Sequence, residues 1–160
     1  MIPFGDMSRE YQELSEELNQ TIQSVCNKGW FVLGEEGERF ETAFAQYIGG
    51  DVHAVGVGSG TEALHLALVA AGVEYGDYVL TVPNTAVPTV SAISFAGAIP
   101  LFVDVDPVSY NMDPAQLRDI VVRERRRSGK RLKAVIPVHL YGQGARSMSP
   151  HGAGQSASLS

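Results

Sequence analysis

The sequence has a single cysteine, three lysines and no apolar run long enough to cross a bilayer, and each shortage removes a class of protein. With Cys26 alone, no internal disulfide can form, and a reducing compartment is expected. The opening MIPFGDM lacks the charged-then-apolar pattern of a secretion signal, so a cytoplasmic protein is expected. Positive charge is short as well: 12 Lys and Arg stand against 18 Asp and Glu, a net charge of −6. Nucleic acid and anionic membranes both reward a basic surface, so neither is expected as a partner. The one basic run, Arg123 to Arg127 (RERRR), reads as the solvated end of a helix. No internal repeat is present. What remains is 160 residues, 44% of them hydrophobic, enough for one ordinary globular core.

The most informative stretch is Ala54 to Leu68, AVGVGSGTEALHLAL. A short apolar segment breaks into Gly58-Ser59-Gly60-Thr61 and then becomes a helix rich in Ala and Leu. Glycines let the backbone turn tightly and approach a ligand without a Cβ in the way. A helix starting at Thr61 aims its unpaired N–H groups and positive dipole end at whatever lies over the turn, and phosphate is the ligand such a turn suits.

Ahead of that stretch, Tyr11, Leu14, Leu18, Ile22 and Val25 recur at steps of three and four, one face of a helix over 8–28 with Ser8 able to cap it and Gly29 to end it. GWFVLG, Gly29 to Gly34, reads either as a buried connector or as an apolar wall for a ligand or a partner subunit. A second helix is expected over 36–48, with Phe40, Phe44 and Tyr47 inward. From residue 52 onward strands and helices alternate. Strands are expected at 53–57, 78–82, 101–105 and 134–140, with helices at 61–71, 85–96 and after Asp113. Asp113-Pro114-Ala115-Gln116 supplies a cap, a first-position proline and a third-position Gln. The alternation predicts a parallel sheet covered on both faces, with ligands beyond the carboxyl ends of its strands. Three features fall there: the Gly58–Thr61 turn, Pro83-Asn84-Thr85, and His139-Leu140-Tyr141-Gly142. After Gln143 the composition changes to five serines and three glycines in 17 residues, a tail expected to be disordered. The chain thus divides into an N-terminal helical segment over 1–50, an α/β region over 51–143 and the tail over 144–160.

Which phosphate the turn holds is decided by its surroundings. Gly58-x-Gly60-x-x-Ala63 has dinucleotide-binding spacing, but that use needs an acidic residue after the next strand, where this chain has Val82, Pro83 and Asn84. A dinucleotide-binding domain is therefore a lesser alternative. A nucleoside triphosphate is excluded more firmly, because the Lys-Ser/Thr pair of a P-loop is missing.

Four blocks, IPFGDMSREY…GWFVLGEEGERFE, GSGTEALHLAL, VPNTAVPTVSAISFAGAIPLFVDVD and AVIPVHLYGQ, stand in the order and spacing of one family. Over Ile2 to Gln143 the chain resembles the DegT/DnrJ/EryC1/StrS aminotransferases, which use pyridoxal phosphate to transfer an amino group to a keto-sugar, usually nucleotide-linked. The resemblance implies the α/β type I pyridoxal phosphate fold (aspartate aminotransferase-like), here an incomplete parallel-sheet large domain preceded by N-terminal helices. It implies homodimers, with an amino donor and the keto-sugar as small-molecule partners. Gly60, Thr61 and Glu62 match the positions that hold the cofactor phosphate, through the backbone N–H groups of Thr61 and Glu62 and the Thr61 hydroxyl. Ala86 matches the position where many relatives place an aromatic ring over the pyridine, and offers only a methyl contact. His139 reads as a hydrogen-bonded structural residue near the site. Asp104 and Asp106 in FVDVDP read as a strand-end turn rather than a metal site.

The family's chemistry also needs a lysine to hold the cofactor covalently and move protons, and an aspartate to keep the pyridine nitrogen protonated. Lys28, Lys130 and Lys133 are not in the family's lysine context, and no Asp follows Gln143. No catalytic residue is therefore assigned. The expectation is a truncated or frame-shifted form of such an enzyme, inactive by itself; a non-catalytic binding or dimerisation remnant is the alternative. The family's sheet order, 3-2-4-5-6-7-1, implies further that the strand expected over 53–57 lacks its neighbours here.

Overall fold

The computed structural model describes residues 5–125 and 131–145, which divide into two compact units between Gly56 and Val57. In the first unit, α1 (Met7–Lys28) is capped by Asp6, whose carboxylate accepts the Arg9 N–H at 3.1 Å. The cap is thus two residues earlier than the expected Ser8, and Asp is an equally good acceptor. The helix ends on Gly29, whose φ of 67° is the left-handed conformation that lets its N–H return to Val25 and Cys26. In α2 (Glu35–Ile48), Glu35, Glu36 and Glu38 occupy the first turn, where the helix dipole favours negative charge. Lys28 reaches Glu35 at 2.9 Å and Glu36 at 3.3 Å, and Arg39 pairs with the same two carboxylates. The Lys28 hydrogen bond and the Arg39 charge hold the Glu35 carboxyl below its ordinary value, and the two glutamates raise Lys28.

Two expectations for this unit fail. Phe40, Phe44 and Tyr47 do not face inward; all three are exposed, and no residue of α1 or α2 is buried. GWFVLG is not a buried connector either: Trp30, Phe31 and Leu33 are 69%, 68% and 89% exposed. The periodicity found the helix faces correctly, but no described element covers them. The rings partly satisfy one another, with Phe40 stacked on Phe44 at 5.6 Å between centroids.

The second unit is the α/β part. Its sheet has three parallel strands, β1 (Tyr78–Thr81), β2 (Ile99–Phe102) and β3 (Leu132–Val135), in the order β2-β1-β3. Tyr78 to Thr81 pair in register with Ile99 to Phe102, which puts β2 two residues earlier than its expected start. β1 is buried on both faces, and consecutive residues feed opposite layers. Val79 packs with Leu68, Val73, Ile93 and Ala98, beneath α3 (Gly60–Ala70) and α4 (Val87–Phe95). Leu80 packs with Val82, Val103, Met112, Leu117 and Val121, beneath α5 (Pro114–Arg125). The expected cover on both faces is present. α5 begins as its sequence predicts: the Asp113 carboxylate accepts the Ala115 N–H at 2.8 Å, and the Gln116 amide reaches the same carboxylate at 3.3 Å.

The strand expected over 53–57 is absent. These residues are unpaired, Val55 is 78% exposed, and the Gly56 N–H goes to the Glu41 carboxylate at 2.6 Å. A strand exists only by pairing, and none of the three described strands takes it as a neighbour. At the amino-terminal edge of the sheet, Arg131 ties β3 to the turn before β1 through Glu74 at 2.6 Å and the buried Asp77 at 3.4 Å. Those two carboxylates, Asp77 first, raise the Arg131 guanidinium further. The expected tail over 144–160 lies outside the described residues from 146 onward, as do residues 126 and 127 of the basic run.

Candidate functional site

Two helices present their N-termini at the carboxyl edge of the sheet. Only five residues separate the end of β1 from the start of α4, so the first turn of α4 lies there by connectivity. α3 runs back along the sheet and reaches β1 through the short turn 71–77, with Val73 in the shared core, so its first turn faces the same edge. The helices pack on each other, the His65 ring standing edge-on to Phe95 at 6.2 Å.

The α3 turn is built by its own side chains. Ser59 is the N-cap, one residue earlier than a helix starting at Thr61 requires, and its hydroxyl accepts the Glu62 N–H at 3.2 Å. The Glu62 carboxylate in turn accepts the Gly58 N–H at 2.8 Å. This is a close variant of the Ser-x-x-Glu capping box, with the glutamate reaching one residue further back. The helix consequently begins at Gly60, and the Gly60 and Thr61 N–H groups have no partner among the described residues. They are the donors the turn offers to a ligand, beside the Thr61 hydroxyl. A Cβ built on Gly60 meets nothing within 4 Å, so the space over the turn is open. Two unpaired amides, a hydroxyl and a helix dipole fit a phosphate ester. The Glu62 N–H, expected to be a donor to the ligand, is instead engaged by Ser59.

Ala86 is the N-cap of α4, extended at φ −70° and ψ 145°, exposed, and without a side-chain cap. It offers a methyl group at the same edge. Beside it the Thr85 and Thr89 hydroxyls bond each other at 2.8 Å. His139 is exposed, and its Nδ1 accepts the Ala145 N–H at 2.9 Å, the hydrogen-bonded role expected of it. Asp106 closes a turn by accepting from the Val108 and Ser109 N–H groups at 3.2 and 2.7 Å, and Asp104 accepts the adjacent Val105 N–H.

Sequence reasoning missed Asn111. Its side chain is almost fully buried, accepts the Leu140 N–H at 3.2 Å and donates to the Gln143 carbonyl at 3.1 Å. It thereby fixes the loop after β3, where Tyr141 has a left-handed φ of 54° and is 98% exposed. The partners lie 29 and 32 residues away, so no local pattern announces them.

The short parallel sheet and its covering helices are part of the large domain of the type I pyridoxal phosphate aminotransferase fold, as solved neighbours show. The profile of the DegT/DnrJ/EryC1/StrS aminotransferase family matches residues 12–152, and the chain belongs to that family. It is 41% identical over 142 residues to a "pleiotropic regulatory protein" of Geobacillus stearothermophilus, covering 89% of this chain and 36% of that one. It is 44% identical over 134 residues to the dTDP-3-amino-3,4,6-trideoxy-alpha-D-glucose transaminase of Micromonospora megalomicea, covering 84% and 34%. Among solved structures, a DegT/DnrJ/EryC1/StrS aminotransferase from Brucella abortus superposes with a TM-score of 0.84 at 33% identity, covering 91% of this chain and 39% of that one. NtdA from Bacillus subtilis, solved with its cofactor PMP bound, superposes at 0.74 with 28% identity, covering 88% and 31%. The chain thus spans about a third of the length of the curated relatives it matches. Pyridoxal phosphate is the cofactor this family implies.

Proposed function

We propose that residues 51–143 are the first half of the cofactor-binding domain of a nucleotide-sugar aminotransferase, with residues 1–50 as its N-terminal helical segment. The phosphate of pyridoxal phosphate would be held at the α3 turn. The observation that supports this most is the unpaired N–H pair of Gly60 and Thr61 at the carboxyl edge. These two amides and the Thr61 hydroxyl bind and orient the phosphate, the backbone between Gly58 and Glu62 supplies a contact surface, and Ala86 contributes a small apolar contact. When bound, the cofactor supplies an electron sink for amino transfer. Curated relatives act on dTDP-linked amino sugars, which supports a nucleotide-linked keto-sugar and an amino donor as the substrates.

The chain by itself is read as catalytically silent. Lys133 projects its ammonium to within 3.5 Å of where a Cβ on Gly72 would sit, beyond the C-terminus of α3. Eleven helical residues separate that end from the phosphate turn, about 16 Å. Lys28 is engaged with Glu35 and Glu36, and Lys130 lies outside the described residues. Purified chain mixed with pyridoxal phosphate and an amino donor should therefore show cofactor binding without amination of the cofactor in its absorbance. An aminated product would overturn the silent reading; absence of binding by folded chain would overturn the phosphate assignment.

The exposed stripe of Phe40, Phe44 and Tyr47 with Trp30 and Phe31 supports homodimerisation, or a binding remnant as the second reading, within the same family. A cytoplasmic location is inferred from the lone, exposed Cys26, and no described helix is long and apolar enough to cross a membrane.

A further inference from the structure

We propose that the Glu62 carboxylate is an internal rival of the phosphate at the α3 turn, so that this side chain limits phosphate affinity instead of adding to it. This inference rests on the assignment of the turn to a cofactor phosphate and asks what its own residues do to that affinity. Glu62 Oε2 accepts the Gly58 N–H at 2.8 Å, while the Glu62 N–H donates to Ser59 Oγ at 3.2 Å. The Gly58 and Glu62 amides near Gly60 and Thr61 are therefore taken from within, and the first of them is taken by a negative charge. The carboxylate sits tightly there: a Cβ on Gly58 would come 3.0 Å from Oε2.

A phosphate ester carries about −1.5 to −2 charges at neutral pH. Reaching the Gly60 and Thr61 amides brings it beside a carboxylate that already neutralises the positive end of the same helix. Like charges at that range repel even in water, and the repulsion is screened by salt. To use the Gly58 amide as well, the phosphate must displace the carboxylate from it. Ser59 has no such conflict, because its neutral hydroxyl caps the helix without opposing an anion. Glu62 thus stabilises the turn through its cap and weakens the ligand through its charge, and the two roles are separable. Gln at this position keeps an oxygen able to accept the Gly58 N–H and removes only the charge.

The test uses the full 160-residue chain with Glu62→Gln and Glu62→Ala, titrated calorimetrically with pyridoxal phosphate and with inorganic phosphate at low and at 1 M salt. Backbone amide spectra monitor the fold. Glu62→Gln is expected to tighten both ligands by about three- to tenfold at low salt, with the gain shrinking at 1 M. A purely structural cap would show no such salt dependence. Equal or weaker binding by folded Glu62→Gln, where the wild-type chain binds, overturns this inference alone and makes Glu62 a builder of the site. Failure of the folded wild type and both variants to bind either ligand overturns the phosphate assignment, and this inference with it. Loosening of the turn in Glu62→Ala, seen at the Gly58 amide, leaves the Gln comparison decisive.

Discussion

Thr61 and Asn111 show two kinds of single-residue control. Thr61 offers a hydroxyl and an N–H without a partner among the described residues, both in the first turn of α3. Thr61→Ala should keep the fold and cost about 1.5–3 kcal/mol of cofactor affinity, the value of a lost hydrogen bond to a charged group, read by calorimetric titration. Unchanged affinity would remove the hydroxyl from the site. Asn111 works inward: its buried amide satisfies the Leu140 N–H and the Gln143 carbonyl of the loop after β3. Asn111→Ala leaves both without that partner and should cost about 1–3 kcal/mol of stability in urea unfolding. The Gly58–Thr61 turn was legible from its residues because glycines before an Ala- and Leu-rich helix are local signals. The engagement of the Glu62 N–H by Ser59 was legible in principle, since Ser59-x-x-Glu62 has capping-box spacing. Asn111 was not, because its partners are remote in sequence.

Elements were read unevenly for a physical reason. α5 was announced by Asp113-Pro114-Ala115-Gln116, and its cap forms as that pattern requires. Asp113→Ala should lower stability by about 0.5–2 kcal/mol, measured by thermal or urea unfolding, with the loss confined to amide exchange in the first turn of α5. In α1 and α2 the periodicity gave the helices and their apolar faces, yet burial depends on a covering element that no periodicity contains. The residues over 53–57 have strand character but no strand neighbour among the described residues, and pairing is a property of two segments. The α1–α2 junction gives a pH prediction. Glu35 is held below its ordinary 4.5 by Lys28 and Arg39, so its contribution is present above that pH and lost as pH falls through the lower folded value. A carboxyl titration followed by NMR should place the Glu35 midpoint below 4.5 in the wild type and nearer to it in Lys28→Met. Identical midpoints in the two proteins would refute the pairing.

At the scale of the molecule, the sheet order β2-β1-β3 is the three-strand part of the order that the family resemblance implied. Val79 and Leu80 decide its cohesion, since each is fully buried in a different layer. Leu80→Ala should cost about 2–5 kcal/mol and expose both neighbouring strands to exchange. The chemistry proposed for the chain is narrower than the fold: it stops at holding a phosphate, while Lys133 lies beyond the far end of α3 and Lys28 is paired with Glu35 and Glu36. The most direct measurement is a backbone amide NMR titration of the 160-residue chain with pyridoxal phosphate. The account predicts saturable shifts centred on Gly58, Gly60 and Thr61, with the Glu74–Asp77 turn at the opposite edge unmoved. Shifts at that far edge alone, or a folded chain whose Gly60 and Thr61 amides stay fixed at saturating cofactor, would contradict it.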